Sequence, residues 1–122
     1  MSLVGATRDL ALVVEADKAS VAAFAASLDT PAGRVPTTYP IRWLTRPEIV
    51  AVVAELAADR PGTLPVHELQ TVEMASPLPI GQPLNLKVSA ARTDAIHVTV
   101  EAEIRDGGTP VGRMHAVLRL MP

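Results

Sequence analysis

The sequence predicts an α+β protein in which an antiparallel sheet curls around one apolar helix. Two patterns in its 122 residues carry that reading. The first is a helix over residues 46–59, in which Ile49, Val52, Val53 and Leu56 fall at i, i+3, i+4 and i+7 and share a face. Ala51, Ala54, Ala57 and Ala58 fill most of the rest, so the helix is apolar on nearly every side and requires burial on most of them. The second is a set of four strand-like segments behind it. In the clearest, Ile96, Val98, Val100, Ala102 and Ile104 alternate with His97, Thr99, Glu101, Glu103 and Arg105, the period of a half-buried antiparallel strand.

In chain order, Asp9 to Ala16 is apolar around Val13-Val14 and reads as a first strand. Asp17 is placed to cap a short helix in which Val21, Phe24, Ala25 and Leu28 share a face. Asp29 to Pro40 holds Pro31, Gly33, Pro36 and Pro40, which leaves an irregular stretch of the length that often carries function. Ile41 to Leu44 leads into the central helix. Thr45 and Glu48 have capping-box spacing, Pro47 suits the first turn, and Pro61-Gly62 follows the end. Leu64 to Ala75 is a strand, Ser76 to Gly81 a turn, and Leu84, Leu86, Val88 and Ala90 alternate with polar residues in the next strand. A turn at Arg92-Thr93-Asp94 and a hairpin at Asp106-Gly107-Gly108 bracket the 96–105 strand. In the last strand Gly112, Met114, Ala116, Leu118 and Leu120 face one way. No repeat or second domain is visible, so residues 1–122 are expected to form one domain.

Composition narrows the function. Hydrophobic residues make up 48% of the chain, enough for a core, and with only Phe24, Tyr39 and Trp43 aromatic that core is aliphatic. A net charge of −2 and the lack of aromatic platforms argue against nucleic acid. With no cysteine, disulfides, thiolate catalysis and cysteine zinc sites are excluded. No histidine–carboxylate cluster has metal-ligand spacing, and no cofactor is expected. The first residues lack a cationic segment followed by an apolar core, and no apolar run reaches membrane-span length. A cytoplasmic protein away from membranes is expected.

A sheet wrapped around one helix is the hotdog fold, and three stretches resemble its MaoC-like hydratase/dehydratase branch. They are Phe24-Ala25-Ala26-Ser27-Leu28-Asp29, then Val35-Pro36-Thr37-Thr38-Tyr39-Pro40, then Leu64 to Gln70 with Pro77 to Leu84. The resemblance is to the amino-terminal-type domains of dehydratase subunits in fatty-acid synthesis. It implies an acyl-thioester ligand, on coenzyme A or acyl carrier protein, and a second hotdog subunit, identical or different, since one small sheet leaves an open edge. Active members resemble a D-x4-H pattern whose two side chains activate water across an enoyl thioester. Here Asp29-Thr30-Pro31-Ala32-Gly33-Arg34 has the spacing with Arg34 in the histidine position. Arginine stays protonated and is a poor base, so the resemblance carries a catalytic role to Asp29 at most. The expected function is therefore that of an acyl-thioester-binding hotdog that supports a catalytic subunit, with an active MaoC-like hydratase/dehydratase or a hotdog acyl-coenzyme A thioesterase as the alternatives.

The residues leave further candidates. His67, beside Glu68 at a strand start, can replace the lost base or bind substrate; the plainer reading is a partly buried histidine bonded to its neighbours. His97 is expected at the surface, and His115, between Arg113 and Arg119, at the surface or an interface. Arg34 and Arg42 suit the phosphates of coenzyme A or a carrier arm, against the plainer reading of solvated loop charges. Tyr39 joins them as a substrate-binding candidate, although Tyr39 and Trp43 read more simply as core or interface anchors. Glu48 and Glu55 fit a layout resembling hotdog thioesterases with a carboxylate on the central helix, against capping and surface roles. Gly33, Gly81 and Gly107-Gly108 are turn glycines and form no phosphate loop.

Overall fold

The computed structural model describes residues 2–28, 35–36 and 38–122. Its elements in order are β1 (Thr7–Glu15), α1 (Lys18–Ser27), a 3-10 helix (Tyr39–Thr45), α2 (Pro47–Leu56), β2 (Leu64–Met74), β3 (Pro83–Arg92), β4 (His97–Asp106) and β5 (Thr109–Met121). The strands form one sheet in the order β1-β3-β4-β5-β2, every neighbouring pair antiparallel. β1 and β2 are therefore opposite edges, and the helical segments between them carry the chain across one face.

That face is the core. Leu84, Leu86, Val88 and Ala90 of β3, Val98, Val100, Ala102 and Ile104 of β4, and Met114, Ala116, Leu118 and Leu120 of β5 are all buried. The alternation read from the sequence thus points inward on all three central strands. From α2, Ile49, Val53 and Leu56 pack onto the same cluster, as do Val21 of α1 and Tyr39, Trp43 and Leu44 of the 3-10 helix. Turn glycines sit where the backbone needs a positive φ: Gly81 at 79° before β3 and Gly107 at 63° in the β4–β5 hairpin.

Several expectations change in detail. The central helix is shorter than residues 46–59, running only from Pro47 to Leu56. At its end Arg92 Nη1 donates to Leu56 O (2.9 Å) and to the Asp59 carboxylate, whose other oxygen accepts from Leu3 N (2.9 Å). These bonds hold the last turn in place of further helix. Arg92, read as a turn residue, is thus a buried one, 2% exposed. The capping box does not form. Arg46 precedes a proline and is held extended (φ −58°, ψ 141°), which makes it the N-cap. Thr45 ends the 3-10 helix with its hydroxyl on Arg42 O (2.7 Å), while Glu48 accepts from Arg46 (3.2 Å). The irregular stretch is also shorter than expected, because Tyr39 and Pro40 open that 3-10 helix. On α1, Asp17 caps as expected, accepting from Ala19 N and Ser20 N, but Leu28 is exposed.

Candidate functional site

β2 is an edge strand and the least covered element of the sheet. Leu64 is 68% exposed, Leu69 51%, and Val66 is exposed beside them. Register with β5 puts these three opposite Met121, Val117 and Arg119 on the outer face. The register shifts between His67 and Leu69, so Glu68 bulges out of the ladder. Across the edge, Val50 and Ala54 of α2 and Ala57 just after it face Thr63 and Pro65 over a shallow groove of about 370 Å³. A second cleft of the same size lies at the other end of β2, where Val35, Pro36 and Pro40 face Met74, Pro77 and Leu78.

His67 lies on the inner face opposite buried Leu118 and is half-buried. Its Nδ1 is buried and has no hydrogen-bond partner among the described residues. A buried ring nitrogen without a partner is costly, and among the described residues no carboxylate orients the ring as a base usually requires.

The other cluster joins α1 to the 3-10 helix. Tyr39, 2% exposed, puts its hydroxyl against that of Ser20. Three residues on, one turn of a 3-10 helix, the exposed Arg42 lays its guanidinium over the Tyr39 ring (4.1 Å to the centroid) and within 5.0 Å of the Phe24 centroid. Arg42 Nη1 donates to Ser20 Oγ (3.1 Å). Tyr39 also meets Phe24 and Trp43 edge-on, at 5.8 and 6.0 Å between centroids. Two predicted site residues, Tyr39 and Arg42, are thus in direct contact, while His67 shares no hydrogen bond with either. Ser20 and Phe24 were not read from sequence as site residues. Their one-turn spacing on α1 was the available signal. Asp29 and Arg34 lie outside the described residues.

The remaining candidates are engaged in ion pairs. Glu55 meets Arg8 at 3.3 Å on the surface. Arg46 beside Glu48 holds that carboxyl below its usual range. His97, expected as a plain surface residue, is half-buried and bridged. Its Nδ1 meets Asp94 (2.9 Å) and its Nε2 meets Glu68 (2.8 Å) on the β2 bulge. The Asp94 and then the Glu68 carboxylate raise its pKa above 6.5. Glu68 also faces Arg119 at 3.7 Å, and His115 pairs with Glu101 at 3.2 Å. Among the described residues no group of side chains could hold a metal ion, and no helix is long and apolar enough to cross a membrane.

The architecture is shared with solved hotdog proteins. A 3R-hydroxyacyl-ACP dehydratase complex, C-terminally truncated HadBC from Mycobacterium tuberculosis, aligns over 97% of this chain and 98% of its own, with 14% identity and a TM-score of 0.69. A gentisyl-coenzyme A thioesterase aligns over 93% of both chains at 11% identity and TM-score 0.68. A hot-dog-like protein from Thermanaerovibrio acidaminovorans aligns over 97% of this chain and 82% of its own at 17% identity and TM-score 0.65. No family model and no curated protein matches the sequence. The five-stranded sheet over α2 is a hotdog fold.

Proposed function

We propose that this chain is a single-domain, acyl-thioester-binding hotdog protein related to the MaoC-like (3R)-hydroxyacyl dehydratases, acting as a non-catalytic subunit beside a second hotdog. The observation that carries the reading is His67. It is the only histidine on the inner sheet face, and among the described residues its ring has no carboxylate partner to orient it. With arginine at position 34 in place of the family's histidine, the described residues supply no positioned general base. The loss of such a base costs about two to four orders of magnitude in rate. Glu48 and Glu55 give no support to a thioesterase mechanism, since both are exposed and face arginines. The uncovered β2 edge, with Leu64, Val66 and Leu69 beside it, is where the second subunit packs in this reading, identical or different.

One observation favours a second reading, an active hydratase. Nδ1 of His67, buried and without a partner among the described residues, is the atom that a carboxylate would orient, Asp29 of this chain or one from the second subunit. A hydration assay with crotonyl-coenzyme A on wild type, His67→Ala and Asp29→Ala separates the two. We expect no turnover in any of them, with acyl-thioester binding still measurable by calorimetry. Robust wild-type turnover abolished by His67→Ala overturns the non-catalytic reading and makes His67 the base. Turnover lost only in Asp29→Ala returns the activity to the family's aspartate with a relocated partner.

A further inference from the structure

We propose that Arg42, stacked on Tyr39 and Phe24 and anchored on Ser20, is the phosphate-binding point for the phosphopantetheine carrier of the acyl group. This rests on the acyl-thioester reading above and adds to it the part of the ligand that is held and the residue that holds it.

Arg8, Arg46, Arg92, Arg105 and Arg119 each face a carboxylate: Glu55, Glu48, Asp59, Glu103 and Glu68. Arg60 and Arg113 have no ion-pair partner among the described residues, but no aromatic ring there lies under either of them. Arg42 differs from all of them. Its neighbours are two aromatic rings and one hydroxyl, and among the described residues no carboxylate pairs with it. Stacking fixes the plane of a guanidinium while leaving its charge unneutralised. The Ser20 bond uses one N–H donor, and among the described residues the others have no hydrogen-bond partner. An arginine ordered in advance loses less freedom when an anion arrives. Its planar fork matches two oxygens of one phosphate.

The support beneath Arg42 is rigid. Tyr39 is buried and its hydroxyl is tied to the same Ser20, so the serine holds both the stacking ring and the stacked cation. The N-terminus of α1 nearby offers an anion no place, because the Asp17 carboxylate already accepts from Ala19 N (3.1 Å) and Ser20 N (3.2 Å). Arg42 is the cation that this cluster holds ready. A phosphate there can belong to coenzyme A or to the arm of a carrier protein, both of which carry phosphopantetheine.

Calorimetric titration of the full chain with butyryl-coenzyme A, butyryl-3′-dephospho-coenzyme A, butyryl-4′-phosphopantetheine and butyryl-pantetheine tests this. Arg42→Gln should weaken the phosphate-bearing ligands about tenfold or more and leave butyryl-pantetheine unchanged. Ser20→Ala, which keeps the charge and the rings but frees the guanidinium, should weaken the same ligands by a smaller factor. Arg42 dependence retained with butyryl-4′-phosphopantetheine assigns the contact to the phosphate shared with carrier proteins. Dependence lost with the 3′-phosphate assigns it to the nucleotide end of coenzyme A. Equal affinity of Arg42→Gln and wild type for butyryl-coenzyme A overturns the inference and leaves the acyl-thioester reading standing. An equal loss for butyryl-pantetheine also overturns it, because Arg42 would then shape the site without meeting phosphate. Failure of all four ligands to bind wild type removes both.

Discussion

Replacing Arg92 with methionine should be among the most damaging single changes in this protein. The side chain is 2% exposed and ends four polar groups at once. Nε donates to Asp94 O (2.7 Å), Nη2 to Ala95 O (2.7 Å), and Nη1 to both Leu56 O (2.9 Å) and the Asp59 carboxylate. Methionine keeps much of the stem and its packing but none of the donors. Asp94 and Ala95 lie in an exposed turn, where water can serve their carbonyls, so their loss is small. Leu56 O is different. It is a terminal carbonyl of α2 on a fully buried residue, and it loses a charged donor. A buried carbonyl left without its donor costs about 1–3 kcal/mol. For a chain of this size that corresponds to a fall in Tm of about 4–12 °C. Thermal and urea melts followed by circular dichroism measure it. A loss within about 3 °C would refute the reasoning, since it would mean that the α2 terminus is held by its packing and not by Arg92.

Two further predictions concern the β2 edge. His97 has a raised pKa and Asp94 a lowered one, the latter through the Ile96 N–H and then His97. The histidine's contribution to stability is therefore fully present below its unfolded value of 6.5 and is lost as pH rises through the higher folded value. The aspartate's contribution is present above 3.8 and is lost as pH falls through the lower folded value. The deficit of His97→Gln relative to wild type should be larger at about pH 5.5 than at about pH 8.5 in paired melts, between and above the reference values for the two groups; an equal deficit at both would show that the bridge carries no net charge interaction. The second concerns assembly. Wild type should scatter light as a dimer or larger, and Leu69→Asp, changing an exposed residue that a partner would cover, should shift it toward monomer without lowering helix or strand content. A wild-type monomer at tens of micromolar, about the range in which stable assemblies persist, counts against the second subunit packing there.

Sequence periodicity made the sheet legible because β3, β4 and β5 obey a simple rule. Each buries one face, so apolar residues recur at every second position and the pattern survives intact. The face of α2 was legible for the same reason, through Ile49, Val53 and Leu56. Its ends were not, because they are set by contacts distant in sequence. Arg92 lies 36 residues from the Leu56 carbonyl it caps, and a charged residue in a turn-like stretch reads as exposed. His97 misled in a related way. It occupies an outward position of an alternating strand, but the Glu68 bulge, a departure from regular pairing, brings a carboxylate to it across β5. The pairing of Tyr39 with Arg42 was within reach of local reasoning once the segment is a 3-10 helix, where i and i+3 eclipse. The prolines around it suggested loop instead.

The two edges of the sheet are treated differently. β1 is tied back at both ends: Gly5 N donates to Arg92 O (2.8 Å) and Gly81 N to Ala16 O (2.9 Å). β2 carries a bulge, three exposed aliphatic side chains, a half-buried histidine with an orphaned nitrogen and a groove walled by alanines in and just after α2. Bulges and charges are common defences of a free edge, and Glu68 supplies both. Yet a defended edge has no need of Leu64, Val66 and Leu69 in water, nor of an unpaired nitrogen beneath them. Solvent exposure leaves these features unexplained, whereas a covering partner accounts for all of them together: it buries the aliphatic side chains, fills the groove and can supply an acceptor for His67. Arg42 lies in a separate cluster whose polar and aromatic contacts come from within the protomer. On the proposed reading the chain divides into a self-sufficient cluster that meets the anion and an apolar edge that another subunit completes, the division expected of a protein that holds the carrier of an acyl group while a partner closes over the chain.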